Sequence, residues 1–407
     1  MPDKPVRVAA VKLPRKAHPM VFSRLHQMLL LLLGAMLGAC ATQPAIPSPE
    51  PFFNDALFAT SSIRSGADEV FALNDAMQKY LRMDMAHQIR NDGPVRGLIN
   101  ALQRSDQLRL DYDSTRTLNA AEAFDARRGN CLSLVIMTAA FAKALDLQVT
   151  YQIVATEETW SRRDDLAFSN THVNLTLGKR AMHTTPGYDE SRLLTIDFLP
   201  AEYILGQRTR PIPEATIVAM YMNNRAAEAL AQGQVDDAYW WARGAVLRAP
   251  DFTSSYNTLG VVYLHHGDLH AAERVFRHLL DAEPQDRQAL SNLATALDKL
   301  GRTDESRDTR ARLERIEPHP PYHFFRLGTA AMQRGDYRAA RSLFEQEVAR
   351  ADYSSEFHFW LGLANLRLGD IDEARKQLAL AVDYSTARSE HDLYAAKLDR
   401  LRDHTVR

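Results

Sequence analysis

The chain has 407 residues, enough for two domains, and with 45% apolar and 25% charged residues it has the composition of a folded globular protein. Its net charge is −2, but six basic residues and only one acidic residue lie in the first 39 positions, so the remainder is mildly acidic. This balance argues against a nucleic-acid partner, because binding phosphate needs a basic surface. The two cysteines, Cys40 and Cys131, are too few for a disulfide framework.

A short apolar segment at residues 28–39 follows a positively charged stretch and ends in small residues. It is too short for a transmembrane helix, which needs about 20 residues, and its layout is that of a secretory signal. The segment runs into Leu-Gly-Ala-Cys, which ends at Cys40 and resembles the lipobox of bacterial lipoproteins. The resemblance implies that residues 1–39 are removed and that Cys40 is lipidated. An ordinary signal peptide with an incidental cysteine is the alternative.

The residues around Cys40 also bear on the location of the protein and on its tether. Ala41 follows the cysteine where a lipoprotein of the inner membrane usually carries Asp, so the resemblance implies the outer membrane, facing the periplasm. Two or more lipid chains make such an anchor stable. Residues 42–51 contain four prolines, and we predict that residues 40–52 form the lipidated cysteine and a stiff, extended tether. The charged stretch is long, which leaves Met20 as an alternative start.

The next region, residues 53–215, combines predicted helices and strands. Apolar spacing predicts helices within residues 53–110. A turn that contains glycine then delivers Cys131 to the start of a long, mostly apolar helix. Helix N-termini present unpaired amides and a positive potential, which stabilise a thiolate and can hold a developing oxyanion. Cys131 is therefore a candidate nucleophile, although a lone cysteine at a helix start more often belongs to a core.

Two runs of alternating polarity predict successive strands, with His172 on the first and Asp197 on the second. A thiol nucleophile needs a base to take its proton, and an imidazole needs an acceptor that fixes its tautomer. We therefore predict that His172 and Asp197 face Cys131 as a catalytic triad. The long stretch between the two residues leaves His183 and Asp189 as alternative partners.

A resemblance to the transglutaminase-like superfamily covers roughly residues 105–205 and rests on the segment RRGNCLSLVIMTAAFAKALDL, followed by Thr-His and then by Ile-Asp. It implies a papain-like α+β fold in which Cys131 is the nucleophile, His172 the general base and acid, and Asp197 the residue that orients the histidine. The backbone amide of Cys131 would supply part of the oxyanion hole. Members often have an aromatic residue soon after the histidine, where this chain has Val173-Asn174.

The same resemblance implies attack of Cys131 on an amide carbonyl of a polypeptide, with the acyl-enzyme resolved by water or by an amine. Analogy with bacterial members favours water, and hence a peptidase or amidase. We expect no cofactor and no metal, because no cysteine or acidic cluster completes a site around the paired histidines of the chain. The alternative function is a non-catalytic assembly lipoprotein in which the papain-like domain is vestigial.

The last part of the chain repeats itself with a period of 34 residues. Five glycines recur at this spacing of 34 residues: Gly233, Gly267, Gly301, Gly335 and Gly369. A small residue recurs earlier in each unit: Ala226, Gly260, Ala294, Gly328 and Gly362. The pattern matches the tetratricopeptide repeat and predicts five units over residues 219–386, an all-α solenoid capped by a helix within residues 387–407. The groove of such a solenoid would hold the polypeptide substrate or an envelope protein partner.

An aromatic triplet, Tyr239-Trp240-Trp241, stands out in the first repeat. Such a cluster serves either as a docking surface for a ligand or as packing against a neighbouring domain. Because this repeat adjoins the preceding domain, the sequence favours packing.

Overall fold

The computed structural model describes ten stretches of the chain: residues 50–60, 69–103, 110–114, 116–154, 159–163, 166–170, 172–179, 193–198, 207–385 and 387–405. The signal segment, Cys40, and the alternative partners His183 and Asp189 lie outside these stretches. Within the stretches, no helix is both long enough and apolar enough to cross a bilayer.

The described residues of the middle region contain three α-helices. They are α1 (Asp75–Gln103), which is broken at Gly93 where φ is 76°, α2 (Ala120–Ala126) and α3 (Cys131–Ala144). Helix α2 begins with a capping box, in which the Asn119 side chain accepts from the Glu122 amide and the Glu122 side chain accepts from the Asn119 amide. Helix α3 is apolar on all sides and buried for most of its length, as expected of a helix at the centre of a domain.

The described part of this region also contains eight strands: β1 (Asp111–Tyr112), β2 (Arg128–Gly129), β3 (Leu147–Val154), β4 (Thr159–Arg163), β5 (Leu166–Asn170), β6 (Val173–Lys179), β7 (Leu194–Ile196) and β8 (Thr209–Ile212). Four of them form an antiparallel sheet in the order β7-β6-β3-β8, while β1 pairs with β2 in parallel and β4 pairs with β5. Helix α3 packs against β3 and β6, so the described part of this region is an α+β unit with Cys131 at the sheet side of its core.

Eleven further helices follow within residues 214–405: α4 (Glu214–Ala231), α5 (Val235–Arg248), α6 (Thr253–His266), α7 (Leu269–Ala282), α8 (Arg287–Lys299), α9 (Thr303–Ile316), α10 (His323–Gln333), α11 (Tyr337–Arg350), α12 (Ser355–Leu368), α13 (Ile371–Tyr384) and α14 (Arg388–Thr405). The first ten form five antiparallel pairs, and each periodic glycine follows the first helix of its pair with a positive φ. Helix α14 covers the last pair with three buried side chains, Tyr394, Leu398 and Leu401.

The middle region and the first repeats share one hydrophobic core. Its buried residues form a single cluster, whose first member in sequence is Phe58 and whose last is Leu297. Polar contacts cross the same boundary. The Thr117 amide donates to Glu228 of α4 at 2.6 Å, and the Thr117 hydroxyl accepts from Asn224 of α4 at 3.2 Å. The Tyr151 hydroxyl of β3 donates to Glu214 at 2.9 Å. The solenoid therefore begins as a continuation of the α+β unit.

The solenoid is interrupted between its third and fourth repeats. Every other pair of successive helices from α4 to α14 packs closely, but α9 and α10 do not. Helix α9 buries only Ser306, and the hydrophobic cluster that begins at Tyr322 is separate from the core of the first repeats. The repeats thus form two stacks, joined by a proline-rich connection at residues 317–322.

Candidate functional site

Cys131 is the first residue of α3, and its position is fixed by the residue before it. The Asn130 side chain caps the helix, because its Oδ1 accepts from the Ser133 amide at 2.9 Å and from the Ser133 hydroxyl at 2.8 Å. The Asn130 amide group donates to the Thr117 hydroxyl at 3.0 Å. Cys131 is partly exposed, and its sulfur is a free thiol at the positive end of a helix.

His172 and Asp197 are brought together by the antiparallel pairing of β6 and β7, in which Leu175 lies opposite Ile196. His172 stands immediately before β6, and Asp197 immediately after β7. His172 Nε2 lies 2.8 Å from Asp197 Oδ1 and 3.0 Å from Oδ2. The imidazole is buried and the carboxylate is completely inaccessible to solvent, so water does not compete for this hydrogen bond.

The third side chain of the group is Cys131, which forms a hydrogen bond with His172. Since Nε2 faces Asp197, Nδ1 is the ring nitrogen left for the sulfur. Burial lowers the pKa of His172, but the hydrogen bonds with Asp197 and Cys131, and then their negative charges, outweigh it and raise this pKa to about 10. At neutral pH the imidazolium form of His172 is therefore favoured, beside the Asp197 carboxylate and the Cys131 sulfur.

The raised pKa also links this site to the stability of the fold. The pairing of His172 contributes its full stabilisation below the pKa of an unfolded histidine, about 6.5. That contribution is lost as the pH rises through the folded pKa of about 10. The site thus stabilises the native state most at neutral and mildly acidic pH.

A fourth side chain, Tyr112, faces Cys131. Strand β1 pairs in parallel with β2, so that Tyr112 lies opposite Gly129, two residues before the cysteine. The backbone amide of Cys131 donates a hydrogen bond to the Tyr112 hydroxyl. Burial, followed by the negative charges of Cys131 and Asp197, raises the pKa of Tyr112 despite that hydrogen bond. The phenol therefore stays protonated and keeps an O–H that can be donated.

Two residues of this site were not among those that the sequence suggested. Asn174 donates from Nδ2 to Asp197 Oδ2 at 3.0 Å and so fixes the second carboxylate oxygen. It lies two residues after His172, on the same face of the strand, so alternation along β6 could have found it. Tyr112 carries no such signal, because its position depends on a parallel pairing between residues distant in sequence. Nothing in the residue pattern predicts this pairing.

The aromatic triplet of the first repeat divides between two roles. Trp241 packs inside the unit, with its ring edge-on to Tyr221 at 6.0 Å. Tyr239 and Trp240 instead contact residues 54–59, which lie at the start of the middle region as the sequence defines it. Among the residues that the structure describes, no group of three His, Cys, Asp or Glu side chains is arranged to hold a metal ion.

Comparison with known proteins identifies the C-terminal region. Two models of the tetratricopeptide repeat family match residues 263–324 and 325–389. This region is therefore a tetratricopeptide solenoid, which confirms the prediction from the 34-residue period and gives the chain a role in protein–protein interaction.

Several solved structures resemble the same region. TTC0263, a tetratricopeptide protein of Thermus thermophilus, is 20% identical, and the match covers 44% of this chain and 98% of that one with a TM-score of 0.28. YrrB, a tetratricopeptide protein with an unusual peptide-binding site, is 19% identical over 44% of this chain and 92% of that one, with a TM-score of 0.24. pilF of Pseudomonas aeruginosa is 16% identical over 45% of this chain and 91% of that one, with a TM-score of 0.26.

Proposed function

We propose that the chain is an envelope-anchored cysteine hydrolase of the transglutaminase-like type, with a papain-like middle domain that cleaves amide bonds in a polypeptide. One observation carries the proposal: the buried imidazole of His172 lies between Asp197 and the partly exposed thiol of Cys131, at a helix N-terminus. Each of these groups has an ordinary structural explanation by itself. A completely buried carboxylate, a histidine with a raised pKa and an accessible thiol in contact with one another are the arrangement that nucleophilic catalysis requires.

The proposed chemistry starts from the raised pKa of His172, which favours its imidazolium form. The Cys131 thiolate attacks the carbonyl carbon, an S–C bond forms, and the carbonyl oxygen becomes an oxyanion. As the intermediate collapses, the C–N bond breaks and the His172 imidazolium gives its proton to the leaving amine. Water then attacks the thioester, the now neutral His172 accepts a proton from this water, and the S–C bond breaks to release the acid. His172 thus acts first as general acid and then as general base.

The oxyanion would lie at the backbone amide of Cys131, where the Tyr112 hydroxyl stands in the unliganded protein. A carbonyl oxygen that accepts a hydrogen bond from the Cys131 amide would also be close enough to accept one from the Tyr112 hydroxyl. We therefore assign the amide and the Tyr112 hydroxyl as the two donors of the oxyanion hole. Two such donors at one oxygen are the usual means of stabilising a tetrahedral intermediate.

Location and substrate recruitment belong to the same proposal. The lipobox-like sequence that ends at Cys40 supports lipid anchoring, with Ala41 favouring the outer membrane and its periplasmic face. The repeats would present the polypeptide substrate, or an envelope partner, to Cys131. Resolution of the acyl-enzyme by water is preferred over an amine, because water is the default acceptor.

The test is the pH profile of Cys131 alkylation by iodoacetamide. An imidazolium preserves the thiolate well below the pKa of a free cysteine, about 8.5. The wild-type protein should therefore react at pH values near 6 at least about tenfold faster than His172→Ala, whose rate should rise only near the free-thiol pKa. Asp197→Asn should fall between the two, because it removes one of the groups that raise the pKa of His172.

A short cysteine peptide is the matched control for this experiment. If the wild-type profile coincides with that of the peptide, the triad is not activated and the proposal fails. The chain would then be a non-catalytic assembly lipoprotein with a vestigial middle domain. If Asp197→Asn leaves the profile unchanged, Asp197 does not act on His172 and the role passes to a residue such as Asp189.

A further inference from the structure

We infer that the first two repeats form a binding site for peptides of the pattern Phe-x-x-Asp-x-x-Phe. In the structure, residues 52–58 of the chain itself occupy this site, and a partner polypeptide with the same pattern binds in their place. The inference does not depend on the proposed catalytic activity, since none of its residues belongs to the site around Cys131.

The two phenylalanines are the anchors of the bound segment. Phe58 is buried, and its ring stacks on Tyr239 at a centroid distance of 3.8 Å and an interplanar angle of 5°. The other anchor, Phe52, lies 4.5 Å from the His278 ring and edge-on to Tyr256 at 6.0 Å. Phe52 is partly buried, and aromatic anchors of this kind supply most of the binding free energy of a peptide interface.

The aspartate between the anchors is held by two donors. The Tyr239 hydroxyl donates to Asp55 Oδ1 at 2.6 Å, and Arg243 Nε donates to the same oxygen at 2.8 Å. The Arg243 guanidinium also covers the Phe53 ring at 4.9 Å. A carboxylate at this position is therefore recognised by charge as well as by hydrogen bonding, which gives the pattern its central acidic residue.

Side chains of the repeats also bind the backbone of the segment. The Asn54 amide donates to the Tyr239 hydroxyl at 2.9 Å, and the Tyr263 hydroxyl donates to the Phe52 carbonyl at 2.7 Å. At the other end, the Ala59 carbonyl accepts from the Trp240 indole at 2.7 Å. Such contacts depend on the backbone course of a peptide and not on its side chains, so another chain with the same three side chains can make them.

The segment depends on the repeats for its position. Its only regular structure is two single turns of 3-10 helix, residues 50–52 and 55–57. The side chains that hold it come from three helices of two adjacent repeats, α5, α6 and α7. It is thus bound as a peptide ligand is bound. Its covalent attachment gives it a high effective concentration, against which a partner must compete.

The experiment uses the mature chain and a fluorescein-labelled synthetic peptide of residues 50–60, with fluorescence anisotropy as the readout. In the double variant Phe52→Ala/Phe58→Ala the internal segment is weakened and the site becomes accessible. The labelled peptide should bind this variant at least about tenfold more tightly than it binds the wild type. A peptide of the same composition in scrambled order, and one with Asn for the aspartate, should bind weakly or not at all.

Two further variants keep the test decisive if the double variant folds poorly. Asp55→Ala alters only an exposed carboxylate of the segment and should raise peptide affinity by a few fold. Adding Arg243→Ala to either opened variant should remove the gain. If the labelled peptide binds no folded variant, or binds the wild type and the opened variants equally, the inference is wrong.

Discussion

At the scale of single residues, the site is defined by which groups remain accessible. Asp197 is fully buried and forms hydrogen bonds with His172 and Asn174, so it is not accessible to a substrate. Cys131 and Tyr112 are the partly exposed members, and they interact with each other. In the proposed mechanism, a substrate would therefore meet Cys131 and Tyr112 directly and would not contact Asp197.

The role assigned to Tyr112 can be separated from the activation of the thiol. Acylation of Cys131 by p-nitrophenyl acetate passes through an oxyanion, whereas alkylation by iodoacetamide does not. We expect Tyr112→Phe to slow acylation by about tenfold or more, since one oxyanion donor is lost, and to leave alkylation nearly unchanged. The two rates should be measured at one pH on the same preparation, with His172→Ala as the variant in which both fall. Equal losses in both reactions, or in neither, would contradict the assignment.

The sequence predicts Cys131, His172 and Asp197 as site residues because the pattern around each one indicates its secondary structure. A turn with glycine before an apolar run indicates a helix start, and alternating polarity indicates strands. The contact between the three side chains stays an expectation at that stage, since it depends on how β6 and β7 pair. Tyr112 could not be predicted, because the pairing of β1 with β2 joins short segments that lack any strong pattern of their own.

At the scale of elements, the second and fourth repeats each place a glycine of their first helix against a phenylalanine ring of their second helix. A methyl group added at Gly260 would lie 2.4 Å from the Phe276 ring, and one added at Gly328 would lie 2.6 Å from Phe344. In the third repeat the corresponding small residue is Ala294. The 34-residue period predicts these elements well, because the pattern is repeated five times and each copy reinforces the others.

This size match gives a prediction for the second repeat. Gly260→Ala should destabilise the protein by about 1–3 kcal/mol, because the added methyl group overlaps a ring that is itself completely buried. Urea unfolding of the single variants and of Gly260→Ala/Phe276→Leu provides the measurement. In the double variant the smaller side chain makes room, so the two changes together should cost less than their sum. Strict additivity would show that the ring and the methyl group do not meet.

At the scale of the whole molecule, the packing between units does not follow the domain boundaries that the sequence predicts. The middle region and the first repeats are united by a common core, whereas the third and fourth repeats, which are neighbours in one periodic array, hardly touch. The sequence places a boundary between residues 215 and 219 and none near residue 320. It also assigns residues 53–60 to the middle region, although residues 54–59 contact the first repeat. Periodicity reports the helices of an array but not whether adjacent units pack.

The weak joint predicts that unfolding occurs in two steps. In an array held together by neighbouring interfaces, a missing interface divides the cooperative unit. Residues 323–405 should lose hydrogen-exchange protection at lower urea concentration than α3 to α7, because their cores are small and separate from the shared one. Mass spectrometry of peptides from both stacks gives this comparison. Protection that disappears from both stacks at the same urea concentration would mean that the joint is stronger than its contacts imply.

The common core has one more consequence, which concerns ligands and not folding. Thr117 accepts from Asn130, the residue that caps the helix of Cys131, and its amide is held by Glu228 of the first repeat. Any molecule that favours the packed arrangement of this repeat therefore favours the ordered turn before the thiol. By thermodynamic reciprocity, a substrate that bound at Cys131 in the proposed mechanism, and was coupled to the repeat through Thr117, would strengthen the binding of a ligand to the repeat by the same factor. Binding of a substrate at Cys131 would then be detected as a change in the affinity of the repeat for its ligand.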